Sequence, residues 1–178
     1  MSTIKFNLPT ILTFSRIVLI PFFVVITPES PLLGISIFLI ASATDFLDGY
    51  LARRSGDVTK FGIILDPIAD KFLVISALIL LVDMVRLSAW IAIIMIVREF
   101  VVTALRVVAL SKNIVIAAEK GGKLKTAAQM TSIILLLLPG GIGSVDFYDV
   151  GIILMYIALI LALVSGVQYT TSFWRQIQ

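Results

Sequence analysis

Cysteine and histidine are both absent from the chain. Their absence excludes disulfides, thiol nucleophiles, histidine zinc ligands and histidine general bases together. A metal bound here must take oxygen ligands, which favours Mg2+, Mn2+ or Ca2+. Charge is scarce as well: Asp, Glu, Lys and Arg supply 14% of the 178 residues, where soluble domains carry about 25%. No basic run marks a nucleic-acid surface, so no nucleic-acid partner is expected. Repeats, linkers and low-complexity tracts are also missing. What fills the chain is apolar: 60% of it is hydrophobic, and the mean hydropathy is +1.11. The expectation is an all-α integral membrane protein with a single domain over residues 1–178. The first apolar segment lacks a small-residue cleavage site and reads as a retained helix.

Six segments approach the roughly 20 residues that one crossing needs: 8–26, 32–54, 61–82, 88–111, 122–139 and 149–170. Asn7 and Pro9 suit a helix start. Turns are expected at Thr27–Pro31, at Ser55–Asp57 and at Pro139–Ser144. Basic residues sort to one side. With the N-terminus inside, the cytoplasmic side receives Lys5, Arg53, Arg54, Lys60, Lys112, Lys120, Lys123, Lys125 and Arg175. The opposite loops hold Glu29, Asp83, Arg86, Asp146 and Asp149, with Arg86 alone basic. This bias predicts a six-transmembrane-helix bundle with both termini cytoplasmic.

Four aspartates interrupt the second and third segments: Asp45, Asp48, Asp66 and Asp70. Each would cost about 2.5–3.5 kcal/mol at a bilayer centre if nothing compensated it. Asp45 and Asp48 are three apart and Asp66 and Asp70 four apart, so each pair shares a helix face. At about 1.5 Å per residue, Asp48 lies about 9 Å from Arg54 and Asp66 about 8 Å from Phe61, while Asp45 and Asp70 both lie about 14 Å in. Across a short turn the pairs match in depth, so four carboxylates can converge. Such a cluster suits two divalent cations, which clamp the oxygens of an in-line displacement at phosphorus. Gly49 permits close approach of a phosphate or base, and Arg53, four residues on, suits a diphosphate. Taken singly, each feature has a plainer reading: a hydrogen-bonded Asp, a packing glycine, a snorkelling arginine. Pro67 sits in the first turn of its helix or marks a kink that aims Asp66.

The run Asp45-x2-Asp48-Gly49-x2-Ala52-Arg53-x8-Gly62-x3-Asp66-x3-Asp70 resembles, without a gap, the signature of the CDP-alcohol phosphatidyltransferase family. The resemblance implies a six-helix membrane enzyme, commonly a homodimer, in which an alcohol displaces CMP from a CDP-linked substrate with divalent metal. Carried over by position, Asp45, Asp48, Asp66 and Asp70 would bind two Mg2+ or Mn2+ ions, and Asp70 would double as general base. Asp48, Gly49, Arg53, Thr59 and Gly62 would hold the CDP part. Asn7-Leu-Pro9-Thr10-x5-Arg16, Arg98-Glu99 with Arg106, and Gly122-Lys123-x-Lys125-Thr126-x2-Gln129 look like one branch of that family. That branch takes CDP-diacylglycerol as donor and glycerol 3-phosphate as acceptor. It implies a multi-pass protein of the bacterial inner membrane whose active site faces the cytoplasm.

Glycerol 3-phosphate is a dianion and calls for a basic site. Arg98 and Arg106 flank one face of the fourth segment, and Lys123 and Lys125 open the fifth at the same end, where a helix N-terminus adds its own preference for anions. The plainer readings are a structural ion pair for the arginines, with Glu99 as neutralising partner, and interfacial anchoring for the lysines. Arg16 has three readings: pairing with an aspartate, touching substrate, or snorkelling. Thr126 and Gln129 read as helix–helix hydrogen bonds. Two other functions fit the same residues. Inositol phosphate is a second anionic acceptor for the same chemistry. A divalent-cation carrier also has intramembrane acids, but would place charge along a whole crossing.

Overall fold

The computed structural model describes the backbone of residues 8–55, 60–112 and 120–177, and side chains for 15–44, 71–109, 111–112 and 124–176. Among the described residues there are six helices: α1 (Leu8–Ile26), α2 (Pro31–Ser55), α3 (Lys60–Asp83), α4 (Ala89–Ser111), α5 (Lys120–Leu137) and α6 (Phe147–Ile177). A two-stranded hairpin, β1 (Gly141–Ile142) and β2 (Val145–Asp146), joins the last two. The helices lie close to the six expected segments. The hairpin was not expected, and neither was the extension of α6 past residue 170. Gly143, at φ 62°, takes the first central position of the hairpin turn, where a positive φ matches the twist of the strands. Asp146 then caps α6: its Oδ1 accepts the Tyr148 N–H at 2.9 Å.

The chain divides into two compact units, Met1–Leu80 and Leu81–Gln178. In the first, α1 and α2 form an antiparallel pair. Thr27 is buried in the connection and donates its hydroxyl to the Phe23 carbonyl. A Cβ at Gly34 would overlap Thr27, so the close approach at this turn requires glycine. The Phe23 and Phe38 rings pack at 5.6 Å between centroids. Pro9 falls in the first turn of α1, where its missing N–H costs nothing.

In the second unit, α4 and α6 run parallel. Arg98 meets Ala162 and Ser165, Val102 lies by Gly166, and Arg106 stands over Tyr169, so contacts advance together along both helices. Helix α5 runs against α6, and Ser132 donates to the Gly151 carbonyl at 2.6 Å. The α3 terminus closes in a Schellman turn, with Arg86 N–H bonded to Leu81 O at 2.8 Å and Val85 N–H to Val82 O at 3.0 Å. Val85 occupies the left-handed position at φ 59°. The turn carries Arg86 to the far end of α5, where its Nη1 donates to the carbonyls of Leu136 (2.7 Å) and Leu138 (3.1 Å).

Large apolar side chains stand exposed on α1, α2, α4 and α6, among them Val25, Leu32, Val107 and Val167. Soluble proteins do not leave such surface to water. Among the described residues, α6 is the one helix long and apolar enough to cross a membrane by length and composition; Ser15–Ile26, Pro31–Thr44 and Leu124–Leu137 are shorter apolar helical stretches.

Candidate active site

The four aspartates fall within helices, Asp45 and Asp48 on α2, Asp66 and Asp70 on α3. Asp45 is ten residues from the end of α2 and Asp70 ten from the start of α3, about 15 Å along each axis. Asp48 and Asp66 stand about 10 and 9 Å from the same ends. Gly49 and Arg53 share α2, and Gly62 opens α3. Thr59 lies outside the described residues, as do the side chains of all these positions and of Lys123. Pro67 is the eighth residue of α3, past the first turn, so the Ile63 carbonyl lacks its helical donor one residue from Asp66. Eight carboxylate oxygens without a thiol or imidazole fit hard divalent cations.

Arg16 does not snorkel: it is 1% exposed, and its Nε donates to the Ala41 carbonyl at 3.2 Å. That carbonyl belongs to the turn of α2 that ends at Asp45, and the Thr44 hydroxyl also donates to it at 2.7 Å. A buried guanidinium is therefore fixed one helical turn from the first aspartate.

The basic group on α4 and α5 is tied together by Glu99. Its Oε1 accepts from Arg98 Nη1 at 2.7 Å and pairs with Lys125 Nζ. Arg98 is held further by Ala162 O on its Nε at 2.9 Å and by Ser165 Oγ on its Nη2 at 2.7 Å. Ala162, Ser165 and Gly166 are small, so the arginine stem lies directly on α6. Arg106 sits 6.0 Å above the Tyr169 ring, a cation–π contact of about 0.5–1 kcal/mol where exposed. The structure thus joins Arg98 and Lys125 through one carboxylate and rests Arg106 two turns along on the same neighbour. Gln129, read from sequence as a helix–helix hydrogen bond, makes none through its Nε2 although it is buried.

A sequence profile described as CDP-alcohol phosphatidyltransferase matches residues 6–164. The chain belongs to the CDP-alcohol phosphatidyltransferase family. The match covers every helix that carries an aspartate or a basic candidate. Among curated relatives, a CDP-diacylglycerol–glycerol-3-phosphate 3-phosphatidyltransferase of Bacillus subtilis is 40% identical over 97% of this chain and 98% of its own. Proteins of the same name from Haemophilus influenzae (45% identical, 93% of this chain and 92% of its own) and Shigella flexneri (41%, 94% and 95%) are similarly close. Family membership gives the α2–α3 signature its chemical context and makes the membrane the setting of the exposed apolar surface.

Proposed function

We propose that the chain is a membrane transferase that moves the phosphatidyl group of CDP-diacylglycerol to glycerol 3-phosphate, giving phosphatidylglycerol phosphate and CMP. The observation that carries this reading is the complete α2–α3 signature in a chain 40–45% identical, nearly end to end, to relatives named for that reaction. The whole chain forms one domain in this reading. It crosses the bacterial inner membrane six times, with both termini and the active site cytoplasmic, and works as a homodimer. Helix lengths support the crossing number: 18 to 31 residues per helix give about 27–47 Å against a core of about 30 Å. Parallel α4 and α6 with α5 reversed agree with alternating crossings.

Asp45, Asp48, Asp66 and Asp70 hold two divalent cations, Mg2+ or Mn2+. When bound, the pair supplies charge stabilisation at the diphosphate oxygens. Asp48, Gly49, Arg53, Thr59 and Gly62 hold the CDP part, the glycines admitting it close to the backbone. Arg106, Lys123 and Lys125 receive the acceptor's phosphate, and Arg98 acts through Glu99 to hold Lys125. Asp70 takes the proton from the acceptor's 1-hydroxyl as that oxygen attacks the phosphorus bonded to diacylglycerol, and CMP leaves. The displacement is direct, because the signature offers no Ser, Cys or His nucleophile.

CMP release by purified protein in detergent tests the reading, with CDP-diacylglycerol, Mg2+ and one of glycerol 3-phosphate, inositol phosphate, serine or no acceptor. Release with glycerol 3-phosphate alone, lost on chelation, is expected. Release with inositol phosphate keeps the mechanism and replaces the acceptor. No release from folded protein with any acceptor favours a cation carrier.

A further inference from the structure

The buried face of α5 carries Lys125, Gln129, Ser132 and Leu136, all within one stripe at helical spacing. Two of its polar groups are engaged inside the fold. Lys125 pairs with Glu99, and Ser132 donates to Gly151 O. Gln129 stands between them at 3% exposure, and its Nε2 has no hydrogen-bond partner. The register explains the vacancy. Leu136 lies against Gly151, and Lys125 is linked to the Ala162 carbonyl through Glu99 and Arg98. Between these contacts α6 buries Met155 and Ala158, whose side chains offer an amide no oxygen acceptor. A buried donor left unpaired costs about 1–3 kcal/mol. A helix–helix hydrogen bond, the ordinary use of such a glutamine, is not its role here.

We propose that Gln129 is a specificity-determining contact for the acceptor, its amide N–H donating to the 2-hydroxyl oxygen of glycerol 3-phosphate while Lys125 holds the phosphate. This rests on the transferase reading above. One turn, about 6 Å, separates the two residues along α5, a spacing that a three-carbon phosphate bridges. Arg98 and Glu99 are positioning residues in this arrangement, since they reach the acceptor only through Lys125. The 2-hydroxyl is also the group that glycerol 3-phosphate has and a plain hydroxyalkyl phosphate lacks. A site built to bond a hydroxyl rejects the analogue without it, because the donor is again left unpaired.

The test compares glycerol 3-phosphate with 3-hydroxypropyl phosphate, which keeps the phosphate and the attacking hydroxyl but has no 2-hydroxyl. Wild-type protein and Gln129→Met are assayed for CMP release with both, and melted without substrate. The wild type should prefer glycerol 3-phosphate by about tenfold or more in kcat/KM. Gln129→Met should lose that preference through a raised KM for glycerol 3-phosphate, with an unchanged or higher melting temperature because an unpaired buried amide has been removed. A variant that keeps the wild-type preference overturns the inference alone. So does one that melts clearly lower, since that marks a structural hydrogen bond. No CMP release by the wild type with either acceptor overturns the transferase reading, and this inference with it.

Discussion

Val85→Gly should stabilise the protein. Val85 holds a left-handed backbone at φ 59° at the Schellman position after α3, a place that glycine normally takes. That conformation costs an L-residue about 1–2 kcal/mol, and β-branching puts valine at the upper end. The side chain returns little, being 88% exposed. Against the relief stands the extra freedom glycine has when unfolded, about 0.5–1 kcal/mol. The net gain is about 1–1.5 kcal/mol, or about 2–6 °C in melting temperature for a chain of this size. The chain has no cysteine for a thiol dye, so tryptophan fluorescence serves; Trp90 lies just beyond the turn in α4. Val85→Ala, still an L-residue, should recover less than half of the gain. A glycine variant that melts 2 °C or more below wild type would refute the reasoning: it would mean that the exposed valine contributes more by contact than its backbone costs.

Arg86→Ala removes both donors from the α5 carbonyls of Leu136 and Leu138 and should destabilise by about 2 kcal/mol; Arg86→Lys, with one compact charge, should lose about half of that in the same melt. Asp70→Asn should lower kcat at least about 100-fold with unchanged expression and melting, and wild-type turnover would remove Asp70 as base. Lys125→Ala should raise the KM for glycerol 3-phosphate by about tenfold or more while leaving that for CDP-diacylglycerol within twofold; equal effects on both would argue against a separate acceptor-phosphate contact.

Helix positions were legible because apolar run length and turn punctuation are local properties. The first segment, 8–26, is α1 itself, and the next two miss their helices by a single residue at each end. Helix α6 outran expectation because its tail, Thr170 to Arg175, mixes hydroxyls, Phe173, Trp174 and a basic last turn where the apolar run has already ended. The hairpin escaped because two-residue strands are too short to show alternation. The placement of the signature aspartates on two successive helices, α2 and α3, could be read from the sequence. The state of the basic group could not, since Glu99 binds across 26 residues to Lys125 and Arg98 across 64 to Ala162. Arg86, the one cation among the outer loops, looked like an exception to the charge bias; its partners lie 50 and 52 residues away. Gln129 was the reverse case, a residue whose type promised a partner that its Nε2 does not find.

The tight coupling of α5 to α6 bears on how the chain is made. The apolar part of α5 is only Leu124–Leu137, and it contains Lys125, Gln129 and Ser132. Such a segment partitions poorly from the translocation machinery into lipid by itself. Helix α6 is, among the described residues, the one helix long and apolar enough to span; it follows after a hairpin too short to separate the two, and accepts Ser132 on the Gly151 backbone. The nascent chain should therefore keep α5 at the insertion channel until α6 emerges, and release both as one helical hairpin. A chain truncated before Phe147 and released from the ribosome would leave α5 extractable by alkaline carbonate, and the chain that includes α6 would not.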